Sequence, residues 1–217
     1  VRQTAPELLE HGPGKDCGPN CRQVTFASSV GRYDLWGDYI VYTSSYDTTG
    51  NEAYLANVVT GEEWRLEQGP WQQPGPTQIT VDSGIVAWVY SRFPGVGPYL
   101  TELVRSFDIE SLAYRDLTCI EYFSSDIAVI REFDATAGAL SFYMSQTCSN
   151  CTDIHTISLV DGLLERRTQL GKGVIETRAG EGMVVWTDLN QNNSEIMALD
   201  LATNVVGNLS DNPFDQF

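Results

Sequence analysis

Histidine and basic side chains are what this chain has least of. Its two histidines, His11 and His155, are the whole supply of side chains that titrate near neutrality when unperturbed. Neither falls in a GxSxG, HExxH or phosphate-cradling glycine motif. His11 lies in a polar N-terminal stretch. His155 sits in DIHTISLV, at the strand position that Tyr54, Tyr99 and Met197 fill in parallel segments, so packing is its expected role. Lys plus Arg number 13 against 29 Asp plus Glu, for a net charge of −16. Such a surface repels phosphate backbones and anionic lipid heads, so nucleic acid is not an expected partner. The acidity itself is expected to serve solubility. No apolar run approaches the roughly 20 residues of a membrane-spanning helix. The start, Val1 to Lys15, carries no signal peptide, and an export signal already removed is compatible with a chain numbered from Val1.

What is plentiful is Gly, Thr, Ser, Tyr and Trp, the vocabulary of strands and turns. Searched for internal similarity, the chain yields four segments in which a glycine precedes a short apolar strand closing on an aromatic: GDYIVY (Gly37 to Tyr42), GIVAW (Gly84 to Trp88), GALSF (Gly138 to Phe142) and GMVVW (Gly182 to Trp186). Each is preceded by a short strand, so the glycine marks a hairpin. A polar loop, a third strand and a fourth strand follow. The aromatics Tyr42, Trp88, Phe142 and Trp186 are 46, 54 and 44 residues apart, close to the length of a four-stranded propeller blade. The long middle interval is assigned to extra sequence around Cys119 to Asp126. The four aromatics are expected to be buried between sheets.

The chain is therefore expected to be all-β and β-propeller-like, with copies at about 32–68, 77–118, 127–170 and 174–210. Residues 1–21 form an N-terminal extension with the CGPNC loop, and 22–217 the repeat domain. Two arrangements of the ends stay open: a fifth blade shared by the termini, with CRQVTF as a lone fourth strand and DNPFDQF as the beginning of another first strand, or a piece of a larger propeller. A four-bladed ring closed by the N-terminal strand is a less favoured third.

On GMVVWTDLNQNNSEIMALDLATNVVGNLSDNPFDQF and GDYIVYTSSYDTTGNEAYLANVVTGEEWRL the chain resembles the TolB-like bacterial propeller repeats. The resemblance covers about Arg22 to Phe217 and is specific for a repeat type, not for an activity. It implies a surface or periplasmic interaction module. Related propellers also cap peptidases, but no helical hydrolase portion is present here to supply a triad.

Five cysteines are present. Cys17 with Cys21, and Cys148 with Cys151, span turn-forming residues and suit short disulfide loops in an exported protein, leaving Cys119 over. The CSNC pair has zinc-binding or redox activity as its alternatives. Asp188, Asn190 and Asn192 alternate like the first half of a calcium loop, although the glycine expected next is Asn193 and the distal bidentate acid is missing. An Asn-rich turn is the plainer reading, with calcium as the one conceivable cofactor. The loops joining second to third strands (44–51, 91–98, 146–153 and 188–194) should emerge at one end of the blades and form a binding face. Its candidates are Tyr46, Asp47, Arg92, Phe93 and Asp188, joined by Trp71 from the connection 69–76. The expected function is a non-catalytic module outside the cytoplasm that binds a protein or a larger assembly. The rival is a propeller enzyme or a carbohydrate- or metal-binding lectin-like module.

Overall fold

The computed structural model describes residues 5–10, 23, 25, 29–46, 50–68, 75–92, 99–123, 130–146, 151–168, 173–189 and 194–210. Among them there is no helix, and hence none long and apolar enough to cross a membrane. Among the described residues, seventeen strands form four antiparallel sheets. Sheet one contains β1 (Glu7–Leu8), β2 (Tyr33–Trp36), β3 (Tyr39–Tyr46), β4 (Gly50–Asn57) and β5 (Glu63–Gln68), in the order β1-β5-β4-β3-β2. Sheet two holds β6 (Gly75–Asp82), β7 (Ile85–Arg92), β8 (Tyr99–Asp108) and β9 (Ala113–Phe123). Sheet three holds β10 (Ile130–Thr136), β11 (Ala139–Gln146), β12 (Cys151–Ser158) and β13 (Leu164–Arg166). Sheet four holds β14 (Val174–Gly180), β15 (Met183–Asp188), β16 (Glu195–Asp200) and β17 (Val205–Asn208). Sheets two to four keep chain order, each a meander of hairpins, which is the construction of a propeller blade.

The chain divides into two compact units, Val1–Arg92 with Arg105–Arg115, and Phe93–Val104 with Asp116–Phe217. In the first, Val41, Leu55, Leu66, Ile79, Val81, Trp88 and Phe107 form a buried cluster supplied by sheets one and two. In the second, Ile154 of sheet three is buried with Val174, Val184, Trp186 and Leu199 of sheet four. The four expected anchors are all inside, with Tyr42 and Trp186 at 1% exposure and Trp88 and Phe142 at 0%. Each large ring removes on the order of 150–250 Å² from water, worth several kcal/mol at about 25 cal/mol per Å².

The hairpin glycines have the predicted conformation. In sheets two to four the two-residue turns are Ser83-Gly84, Ala137-Gly138 and Glu181-Gly182, with φ near +50° at the first position and +76° to +79° at the second. That is the pattern of a type I′ turn, whose twist matches the strands it joins. Sheet one differs by one position. Gly37, at φ +55°, takes the first place and Asp38 the second, so Gly37 stands where Ser83, Ala137 and Glu181 stand, not where the other glycines do.

The outer hairpins share a second device. The last residue of the third strand accepts backbone N–H bonds from two and three residues on: Asn57 Oδ1 from Val59 and Thr60 (both 2.9 Å), Asp108 Oδ1 from Glu110 (3.0 Å) and Ser111 (2.8 Å), and Asp200 Oδ1 from Ala202 (2.8 Å) and Thr203 (2.9 Å). Ser158 Oγ does so at 3.3 and 3.4 Å. These are Asx and ST turns. Four residues after each acceptor the chain turns left-handed, at Gly61, Leu112, Gly162 and Asn204. The same backbone donors hold the Asp200 carboxyl below the usual carboxylate range.

Counting back from these turns corrects the alignment of sheet two. The residue equivalent to Tyr54, His155 and Met197 is Arg105, not Tyr99, because β8 runs ten residues. Of the extra sequence assigned to the second copy, Cys119 to Phe123 prolong β9, and Cys119 is exposed there. In the N-terminal stretch, Glu7 and Leu8 pair with Arg65 and Trp64 at the edge of sheet one. Of CRQVTF only Gln23 and Thr25 are described, and neither is in a strand. DNPFDQF lies outside the described residues.

Candidate functional site

Where β3 ends and β4 begins, the first unit has a cleft of about 380 Å³ lined by Gly31, Arg32, Thr43, Ser44, Asn51, Pro76 and Thr77. The lead-in to β2 is clamped along β3: Gly31 N donates to Thr43 O (2.8 Å), Thr43 N to Arg32 O (2.8 Å), Arg32 N to Thr43 Oγ1 (3.0 Å) and Ser44 Oγ to Ser29 O (2.7 Å). Gly31 is needed for the clamp, since a Cβ there would stand 2.8 Å from Thr43 Oγ1. Pro76 and Thr77 open β6 at a register break between Pro76 and Gln78, so the far wall is a bulge. The described lining offers hydroxyls, an amide and a guanidinium, a set suited to hydrogen bonding, and no carboxylate or imidazole for proton transfer is among these described residues.

This cleft is at the strand end where the sequence places the binding loops. Tyr46 is the last residue of β3 and pairs across to Gly50; Arg92 ends β7. In the second unit, Asp188 ends β15 with Glu195 and Val174 as its neighbours in register. Asp47, Trp71 and Phe93 lie outside the described residues, as do Asn190 and Asn192 of the calcium reading and Cys17, Cys21 and Cys148 of the disulfide reading. Cys151 is described as the first residue of β12. No group of three or more His, Cys, Asp or Glu side chains placed to hold a metal occurs among the described residues.

The buried ionisable groups serve packing. In the first unit Glu67 accepts from the Trp88 indole N–H at 2.8 Å and pairs with Arg105, whose guanidinium lies 5.5 Å from the Tyr90 ring centre. Beside it Tyr114 donates to Leu66 O (3.1 Å), and burial, reinforced by Glu67, pushes its phenol up to about 12. Glu63 receives the Tyr42 hydroxyl, and Glu52 receives the Tyr54 hydroxyl and Arg65. In the second unit Glu102 accepts from Ile130 N at 2.9 Å. Asp153 holds Arg166 at 2.5 Å and Thr168 Oγ1 at 3.2 Å. His155 is 4% exposed and stacked on Phe142 with ring centres 5.8 Å apart; burial lowers its pKa.

Sequence reasoning passed over one repeated contact. Asp34 Oδ2 accepts from Val81 N (2.9 Å) and Thr80 Oγ1 (2.7 Å), tying β2 to β6. Asp134 Oδ2 accepts from Ala179 N (2.9 Å), tying β10 to β14. An acid three residues before the hairpin turn in copies one and three was the available signal. Glu67 had no such signal, because no acid recurs at its place: counting on from the outer turns, the other copies have Thr118, Thr168 and Ser210 there.

The sequence matches no family model and no curated protein. Among solved structures the chain is similar to TolB from Acinetobacter baumannii (16% identity, TM-score 0.55, 86% of this chain and 45% of that one). It is also similar to a puromycin hydrolase (13%, TM-score 0.62, 90% and 31%) and to a chain of a nidogen–laminin complex (14%, TM-score 0.54, 88% and 65%). At such identities the likeness shows the fold, a β-propeller, and the chain spans less than two thirds of the length of each of these structures.

Proposed function

We propose that this chain is a non-catalytic protein-interaction module, working outside the cytoplasm, that binds through the loop end of its blades. The observation that carries the reading is the cleft at Arg32, Thr43, Ser44, Asn51 and Thr77, which offers donors and acceptors to a polypeptide and lies beside the loops. The carboxylates inside the sheets support it, since Glu52, Glu67, Glu102 and Asp153 are each engaged by structural partners. A hydrolase is among the similar structures, and so is a chain of a nidogen–laminin complex, so the fold by itself favours neither class.

The test is a plug. Thr77→Arg fills the cleft, and Val160→Arg places the same charge on a residue 76% exposed in the second unit. Proteins captured from extracts by the unaltered chain should be lost with Thr77→Arg and kept with Val160→Arg, both variants melting as the parent does. Equal capture by all three, or turnover of amide substrates by the purified chain, would sink the proposal.

A further inference from the structure

The opposite end of sheet one carries a second cleft, of about 290 Å³ and of different chemistry. Its floor is apolar and buried, made by Leu55 and Phe107. Half-buried Tyr39, Trp64 and Ile109 and the exposed Leu112 form its walls, all within the first unit. The rim is polar. Thr60 Oγ1 donates to Glu62 Oε2 at 2.8 Å, which holds the exposed Glu62 side chain beside the opening. Pro6, just before β1, lines one side.

We propose that this cleft receives a single basic side chain, arginine before lysine, from a partner polypeptide. Charge decides among the occupants. An apolar side chain would cover the floor but leave the exposed rim carboxylate of Glu62 without a counter-charge. An acidic one would meet both Glu62 and a chain of net charge −16. A long cationic side chain fits all three layers. Its methylene stem lies on Leu55, Phe107 and Leu112; its head meets the faces of Trp64 and Tyr39; its charge is answered at Glu62. Arginine is favoured because a planar guanidinium both stacks on rings and bonds a carboxylate in bidentate fashion. The volume sits at the lower edge of small-molecule sites, room for one side chain rather than for a strand. This site is separate from the cleft at the loop end and stands or falls independently of it.

The experiment titrates the purified chain with acetyl-Gly-Arg-Gly-amide and with its citrulline counterpart, which keeps the shape and loses the charge. Calorimetry gives the affinity, and Trp64 is followed through difference spectra against Trp64→Phe. Arginine peptide should bind about fivefold to tenfold more tightly than citrulline peptide, and Glu62→Gln should remove most of that difference, as expected for a partly exposed cation–π and ion-pair site. Glu181→Gln, which removes the same charge from an exposed turn of the second unit, should change nothing. Equal binding of the two peptides, an equal loss in Glu62→Gln and Glu181→Gln, or no binding at low-millimolar peptide would overturn the proposal.

Discussion

Replacing Gly162 by alanine should damage this protein far more than the same change at Gly138, although the two backbones have nearly the same conformation. Gly138 has φ +76° and Gly162 φ +75°, so an alanine at either position incurs the left-handed penalty of about 1–2 kcal/mol, reduced by up to about 1 kcal/mol through loss of unfolded-state freedom. The difference is in what the new methyl meets. At Gly138 nothing among the described residues lies within 4 Å, whereas at Gly162 it would stand 2.3 Å from Leu117 O and 3.1 Å from Leu117 C. Relief needs a shift of about 1 Å between two stretches of main chain, because an ordinary contact begins at 3.4 Å. That shift is resisted by Gly162 N→Ser158 O (2.9 Å) and Ser158 N→Leu163 O (3.0 Å). Weakening both bonds costs about 1 kcal/mol each. Gly138→Ala should therefore lose about 1 kcal/mol and Gly162→Ala about 3 kcal/mol. Urea unfolding followed by tryptophan fluorescence reads this as two midpoint shifts at unchanged slope. Midpoints that agree to within about 0.5 kcal/mol would refute the close approach of the β12–β13 turn to β9.

Three further outcomes follow from the buried polar groups. Trp88→Phe should cost about 2 kcal/mol more than Trp186→Phe in the same urea experiment: the Trp88 indole donates to a carboxylate, while the buried Trp186 Nε1 has no hydrogen-bond partner among the described residues. Asp134→Ala should cost about 2–3 kcal/mol by leaving Ala135 N and Ala179 N without their acceptor, each at 2.9 Å; a loss below about 0.5 kcal/mol would remove Asp134 as a tie between sheets. His155 is held neutral by burial, so the unfolded chain takes up its proton first as pH falls below about 6.5. The stability this group contributes is complete above that pH and declines from there down to the lowered folded value. Thermal melts should thus fall between pH 7.5 and pH 5.5 by more in the parent than in His155→Met, the variant that borrows Met197 from sheet four; parallel curves would contradict the assignment.

What the sequence told correctly was whatever is written within one hairpin. The pairing of a left-handed glycine with an aromatic four residues on needs only local turn geometry and alternation, and it located Trp88, Phe142 and Trp186 without ambiguity. Where a copy departs from that spacing, reading failed in step. Gly37 sits one place early, and the long β8 moved the match from Arg105 to Tyr99 because its outer turn holds Leu112 where others have Gly61 and Gly162. Contacts between sheets left a local mark only where an acid recurs before the hairpin turn, at Asp34 and Asp134; Glu67 finds Trp88 and Arg105 from 21 and 38 residues away with no such mark. Of the loop-end site, the strand end was legible, but Arg32, Thr43 and Thr77 were not, since the cleft arises from the segment leading into β2 and a bulge meeting in space.

The outer turns closed by Asn57, Asp108, Ser158 and Asp200 each satisfy their own backbone from a side chain at the start of the turn. Such a segment brings its conformation with it, so the five-residue pieces from 57, 108 and 200 amount to interchangeable parts. Grafting one onto another sheet should leave folding intact. The piece beginning at Ser158 is the exception, because its neighbour Leu117 tolerates only a residue without a side chain at its fifth place. A lineage could therefore diversify the rims at 108 and 200, whose fifth residues Leu112 and Asn204 already carry side chains, while the one at 158 stays frozen, which makes those two the natural places to install new recognition without disturbing the sheets beneath.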